Sequence, residues 1–423
     1  MSKRVFLHVG VPKSGTSYVQ RVLRHEKSRL LSERQLLYPG ATWHQQVLAV
    51  RDLRRMRQRQ RARGAWGGLV KEINAWPGDA VVSMEWLCAA EPRHIEKAIT
   101  DLAPAEVHAV FTARDLGRTL PAAWQEFVQN RRDWTWDQFL SAVIARDTSK
   151  GSPGRIFWSQ QDVPALVDRW VQGVGRDRVT VVTLPPPGSP HELLWARLAE
   201  VLDLGDYALR GTHTGANESL GLESVEMLRR LNPLLREARV SKVTYNSVLK
   251  GGLAKHTLAG RTDESRLRLS AAYYAAVNEL AREQVNGIRA SGVRVVGNLD
   301  ELLVEVPPEL ASGPDEGPGH LSEAGVLTAA LTGLADVVRR YDDLDEDKEL
   351  LAQENQRLRG RLMAAEARLQ RQQRRTATLR AELERVRAQP LRTAARARLA
   401  PLRRAVPSSG SAPSSSKVSV TSS

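Results

Sequence analysis

The sequence predicts an α/β protein: a three-layer fold of P-loop type, a parallel sheet flanked by helices, followed by a C-terminal coiled-coil helix and a disordered tail. Three observations carry this. Short apolar runs alternate with longer amphipathic ones through the first 205 residues. Those runs are almost continuously apolar, as strands covered on both faces must be, whereas a sheet with one wet face alternates. All ten tryptophans lie between Trp43 and Trp195, and Tyr341 is the last aromatic, so the material for a core ends well before the chain does.

The stretches "VFLHV" (5–9), "AVVSM" (80–84), "VHAVFTA" (107–113) and "RVTVVTL" (178–184) read as buried strands, and "VRVVG" (293–297) as a late one. Helical periodicity occupies 15–25, 92–102, 117–130, 160–174, 190–202 and 266–284. This βαβα order is that of helices on both faces of a parallel sheet. The opening "MSKRVFLHVGV" has the basic-then-apolar order of a signal peptide. Its apolar run is short and no small-residue cleavage site follows, so it is expected to be the first strand.

Proline and glycine crowd "VPPELASGPDEGPGH" (306–320), which reads as a linker. Beyond it Leu344, Leu351, Leu358, Ala365, Gln372, Leu379 and Val386 recur every seven residues. Lys348, Asn355, Leu362, Leu369, Thr376 and Leu383 form a second seam four residues on. This is a coiled-coil heptad with Asn355 at a core position, where it sets register and oligomer state. The expected division is an α/β domain over 1–305, the linker, a helical coiled-coil segment over 321–388, and a basic disordered tail over 389–423. Homo-oligomerisation through the coiled coil follows from that reading.

The net charge of +14 suggests a nucleic-acid partner until it is mapped. From Arg357 onward 16 Lys and Arg stand against 3 Asp and Glu, so all but about one of the positive charges belong to the tail. A nucleic-acid role for the folded body loses its support. Five arginines and no acid in "PLRTAARARLAPLRRAV" (390–406) give an expected peripheral contact with an anionic inner membrane face. No stretch is long enough to span a bilayer. Cys88 stands alone, which rules out an internal disulfide or a cysteine-cluster metal site and fits a reducing cytoplasm.

The chemistry concentrates in "HVGVPKSGTSYVQ" (8–20). Gly10 and Gly15 keep the spacing of the nucleotide loop G-x-x-x-x-G-K-[ST], but Thr16 and Ser17 follow the second glycine and the lysine is Lys13. A strand, a glycine-bounded loop and a helix start turn backbone N–H groups toward one point, which binds an anion. Thr16 and Ser17 add hydroxyl donors there.

"PKSGTSYVQ" resembles the 5′-phosphosulfate loop of the sulfotransferases that use 3′-phosphoadenosine 5′-phosphosulfate. "VHAVFTARDLGRTLPAAWQEFVQ" (107–129) is similar to that family's 3′-phosphate element, with Arg114 at the phosphate-binding arginine. Weaker echoes lie at 157–188 and 216–232, so the resemblance covers roughly residues 3–305. It implies that Pro12, Lys13, Ser14, Gly15, Thr16, Ser17 and Arg114 hold the donor, with no metal required. It also implies a hydroxyl-bearing acceptor, a glycan, glycolipid or small metabolite. One departure stands out: the family's serine eight residues after the arginine is Ala122, and Arg118 is the candidate substitute.

A base must take the acceptor's proton. Glu85 is expected at the carboxyl edge of the sheet, beside Trp86, where burial raises a carboxyl toward neutrality. His44, in the first turn of a helix, is the rival; His8 reads as a core histidine, and His213 as a loop residue near the nucleotide. Two other functions fit parts of the sequence. A P-loop kinase-like phosphotransferase lacks its G-K-[ST] and a metal-binding Asp. A non-catalytic nucleotide-binding platform for the coiled coil would explain Ala122 but not the intact Lys13, Thr16, Ser17 and Arg114.

Overall fold

The computed structural model describes residues 3–56, 62–211, 220–304 and 321–388. The linker, the basic tail and His213 lie outside these described residues. Six strands form one sheet: β1 (Arg4–His8), β2 (Leu36–Leu37), β3 (Asp79–Ser83), β4 (Glu106–Ala113), β5 (Val179–Thr183) and β6 (Arg294–Val296). All pairs are parallel, in the order β2-β3-β1-β4-β5-β6.

The helices between them are α1 (Thr16–His25), α2 (Lys27–Arg34), α3 (Trp43–Leu53), α4 (Ala65–Ala75), α5 (Pro92–Leu102) and α6 (Leu116–Gln129). Then come α7 (Trp136–Ile144), α8 (Pro153–Gln161), α9 (Val163–Val174), α10 (Leu193–Val201) and α11 (Leu222–Glu237). A single helical turn (Lys242–Thr244), a π-helix (Tyr245–Leu258), α12 (Ala271–Ser291) and α13 (Glu323–Ala388) follow, with short 3-10 turns at Glu85–Leu87, Arg176–Arg178 and Leu299–Leu302.

Both faces of the sheet are dry, as the apolar runs require. Val5 and Leu7 point into one core, against α5 and α9, and Phe6 into the other, against α1 and α10. Each fully buried side chain of this kind contributes ~1.5–3 kcal/mol relative to exposure. A third cluster stands apart from the sheet. Trp124, Trp136, Phe139, Phe157 and Trp158 meet largely edge to face there, joining α6, α7 and α8 to α11 and the π-helix. Most tryptophans are therefore core.

Two expectations shift. The single helix expected over 160–174 is two, because Asp162 caps α9 by accepting from Ala165 N–H, and Pro164 follows at its start. The helix expected over 266–284 begins only at Ala271, with Ser270 as its N-cap. The chain splits into two compact units between Arg339 and Arg340. The start of α13 belongs to the first unit, since its Val326 and Ala329 join the aromatic cluster. In the second unit the rest of α13 carries Leu351, Leu358, Leu362, Leu369, Leu379 and Leu383, all about half exposed or more. No helix among the described residues is long and apolar enough to cross a membrane.

Cys88 is buried in the first core, and burial pushes its thiol up to about 12. His8 is a core residue, as expected. Its Nδ1 lies 2.7 Å from Ser83 Oγ and its Nε2 3.3 Å from Thr112 Oγ1, and burial lowers it to about 4.

Candidate active site

The strand order places the site. β1 lies between β3 and β4, so the chain leaves it to one side and later returns to the other. In such sheets ligands sit at the carboxyl ends of the strands where the order reverses. The segments leaving β3, β1 and β4 supply Glu85, Lys13 and Arg114. His8 pairs with Ser83 on one side and Val110 on the other, so β1 and β3 end level while β4 runs three residues further, to Ala113.

The loop after β1 folds as an anion cradle. Gly10 has φ of +47°, and a Cβ there would stand 2.6 Å from Thr16 Oγ1. Gly15, the N-cap of α1, has φ of +88°. The loop's carbonyls are drawn off by neighbours. Ser14 Oγ donates to Val11 O at 2.5 Å, Gln161 Nε2 to Pro12 O at 2.7 Å, and Arg114 Nη1 to Lys13 O at 3.1 Å. The first N–H groups of a helix lack an intrahelical partner; in α1 Tyr18 and Val19 already donate to Gly15 O, which leaves those of Thr16 and Ser17 for a ligand. Lys13 itself sits at φ of +71°, a conformation uncommon for a residue with a side chain. Strain of ~1–3 kcal/mol of this kind concentrates at functional sites.

Two further donors wait beside the loop. Thr16 Oγ1 and Arg114 Nε are both buried without a hydrogen-bond partner. Burial, then the nearby Arg118, pulls Arg114 down to about 10, against Asp115, so it stays charged near neutrality. Arg118 is not free to act alone. Its Nε is ion-paired with Asp115, and its Nη1 donates to Pro185 O at 3.1 Å. Thr119 Oγ1, one residue on, is buried and unpartnered too. A phosphate group, with several acceptor oxygens and negative charge, fits this set of orphaned donors.

Pro12, Lys13, Gly15, Thr16, Ser17, Arg114 and Arg118 line one open cleft of about 2310 Å³, which Thr119 does not reach. Ser14 is buried instead, its hydroxyl 2.6 Å from Thr112 Oγ1, so it shapes the loop from behind. Glu85 opens a short 3-10 turn after β3 and lines the cleft with Trp86. Burial, then the charge of Glu126, raises its carboxyl above the ordinary value, while Lys13 and Lys250 oppose.

His44 is exposed in the first turn of α3, and its neighbour Trp43, not His44, lines the cleft. Trp43 Nε1 donates to Gln20 Oε1 at 3.1 Å, and Gln20 Nε2 to Ser83 O at 3.0 Å, so the indole is tethered to the end of β3. Glu126 and Lys250 were not anticipated. Glu126 faces the cleft from α6, is ion-paired with Lys13, and receives Lys250 Nζ at 3.1 Å. A signal for it exists: Arg118, Ala122, Gln125, Glu126 and Gln129 form one polar or small stripe along an otherwise apolar helix.

No family model matches this chain, and no curated protein matches it. Among solved structures it is similar to a sulfotransferase from Alicyclobacillus acidocaldarius, at 14% identity and a TM-score of 0.32, over 57% of this chain and 98% of that one. An overlay that loose assigns no chemistry, and the site stands on its own residues.

Proposed function

We propose that this chain is a sulfotransferase that moves a sulfuryl group from 3′-phosphoadenosine 5′-phosphosulfate to a hydroxyl of a glycan, glycolipid or small metabolite. The observation that carries this reading is the convergence of Lys13, the unpartnered Thr16 Oγ1 and the unpartnered Arg114 Nε at the head of α1. A kinase loop keeps its lysine after the second glycine, to reach phosphates beyond the first. Here Thr16 holds that position and the lysine rises from the crest. That suits a donor whose single 5′-phosphate carries the transferring group.

The residues then divide the work. The loop N–H groups and Thr16 hold the 5′-phosphate, and Arg114 with its neighbour Arg118 takes the 3′-phosphate. Glu85 accepts the acceptor's hydroxyl proton as the acceptor oxygen bonds to sulfur. The bond from sulfur to the bridging oxygen breaks, and its electron pair stays on that oxygen as adenosine 3′,5′-bisphosphate departs. Lys13 stabilises the charge that develops there, and a preorganised donor of this kind is worth ~3–4 kcal/mol. The raised Glu85 carboxyl suits a base operating near neutrality.

Isothermal titration with the sulfate donor, adenosine 3′,5′-bisphosphate and ATP tests the reading. Binding of the first two, with ATP much weaker, supports it. A preference for ATP, or no binding of either 3′-phosphorylated ligand, overturns it.

A further inference from the structure

Glu126 holds two lysines with two different oxygens. Oε2 is ion-paired with Lys13 of the loop. Oε1 receives Lys250 Nζ at 3.1 Å and Asn130 Nδ2 at 3.2 Å, and Lys250 also donates to Asn130 Oδ1 at 2.7 Å. The two sides are unequal. Lys250 and Asn130 form a closed triangle with Oε1, whereas Oε2 depends on Lys13 alone. Burial works to raise Glu126, but Lys13 and then Lys250 outweigh it and hold the carboxyl at about 2, so it is charged at every working pH.

We propose that Glu126 is a positioning residue that competes with the donor for Lys13, holding its ammonium on α6 until the bridging oxygen takes it over, with Lys250 as the cation that stays behind. This rests on the donor reading given above. Lys13 cannot stabilise the bridging oxygen and remain on Glu126, because one ammonium serves one place at a time. Its long side chain, 30% exposed, can swing from α6 to the head of α1 while the loop stays fixed. Once Lys13 has left, a bare carboxylate would face an anionic donor across the cleft. Lys250, anchored by Asn130, cancels that charge. Its element supports this role: the π-helix, packed beside α6, presents Lys250, Ala254 and Lys255 to the cleft.

The two partners of Glu126 therefore have opposite effects on donor-site affinity. Glu126→Gln frees Lys13 and should tighten adenosine 3′,5′-bisphosphate binding by about two- to fivefold, the scale of a partly exposed ion pair. Lys250→Met leaves Glu126 with Lys13 only, deepens the parked state, and should weaken binding by a similar factor. In the double variant the loss caused by Lys250→Met should vanish, since the charge it balanced is gone. A packing role alone would weaken binding in both single variants.

Titration of adenosine 3′,5′-bisphosphate into the full chain and these three variants decides the matter. Opposite shifts with rescue in the double variant support the handover. Shifts in one direction, or none, overturn it while leaving the donor reading intact. If the wild-type chain itself binds no adenosine 3′,5′-bisphosphate, the donor reading fails and the handover with it. Lys250 is one-quarter exposed, so should Glu126→Gln fail to fold, Lys250→Arg beside Lys250→Met keeps the test decisive: the charge role predicts affinity retained in Lys250→Arg, and loss in both variants overturns it.

Discussion

Arg114 reaches across 101 residues of sequence to donate from Nη1 to the backbone carbonyl of Lys13 at 3.1 Å. One guanidinium thereby fixes the crest of the loop from the end of the neighbouring strand. It turns that carbonyl away from the ligand's side and keeps its own Nε for something else. The residue expected to read the 3′-phosphate also shapes the loop that holds the 5′ end.

Arg114→Ala should weaken affinity for adenosine 3′,5′-bisphosphate far more than for adenosine 5′-monophosphate. Removing one charged hydrogen-bonding partner from a phosphate costs ~1.5–3 kcal/mol, or about 10- to 150-fold. Some loss for both ligands is expected, because the Lys13 carbonyl is untied. Equal loss for both would show that Arg114 serves the loop alone.

Lys13→Ala should lower kcat by about 10²- to 10³-fold, as expected of losing one donor aimed at developing charge. The melting temperature should hold or fall slightly, since only the partly exposed ion pair with Glu126 is lost. Assay of sulfuryl transfer beside a thermal scan separates the two effects.

Glu85→Gln should retain adenosine 3′,5′-bisphosphate binding and lose at least ~10²-fold in transfer. The base works only when ionised. Because burial and Glu126 raise its carboxyl, activity should fall as pH drops through a value above the ordinary carboxylate range. Full activity in Glu85→Gln would pass the role to another group, and His44→Ala is the matching control.

His8 predicts acid sensitivity of the fold. Its native pKa is lowered to about 4 by burial, below the unfolded value near 6.5. Between those values the unfolded chain binds the extra proton, so stability falls as pH drops through that window. At pH 5 the loss is ~2 kcal/mol relative to pH 7. Urea titrations at both values, with His8→Gln for comparison, should show a gap that shrinks in the variant.

For the second unit, deletion of 340–423 should leave a folded first unit and lower the oligomeric state by light scattering. The leucine seam of α13 is half exposed in one chain, and pairing of two such helices would cover it. An unchanged mass would end the coiled-coil reading.

Much of the sheet was legible because buried parallel strands are the least ambiguous pattern a sequence offers. The runs at 5–9, 80–84, 107–113 and 178–184 fall within a residue or so of β1, β3, β4 and β5. β2 was invisible: two residues, Leu36 and Leu37, are too few to show any period. The π-helix hides for another reason, since "LKGGLAK" reads as a break rather than a turn of wider pitch. In the site, Lys13 and Thr16 announce themselves because their chemistry is packed into one loop. Glu126 and Lys250 do not. They are 124 residues apart, and only the packing of the π-helix near α6 joins them.

Cys88 has a practical consequence. A lone thiol sealed in the core and held at about 12 offers no thiolate to alkylating reagents at neutral pH. The native chain should therefore be blank to maleimides without any cysteine being removed. A cysteine introduced at exposed His44, beside the tethered Trp43, would be the single labelling point on the molecule. A fluorophore there would sit next to the cleft's mouth and report ligand entry directly, with an indole alongside as its natural quencher.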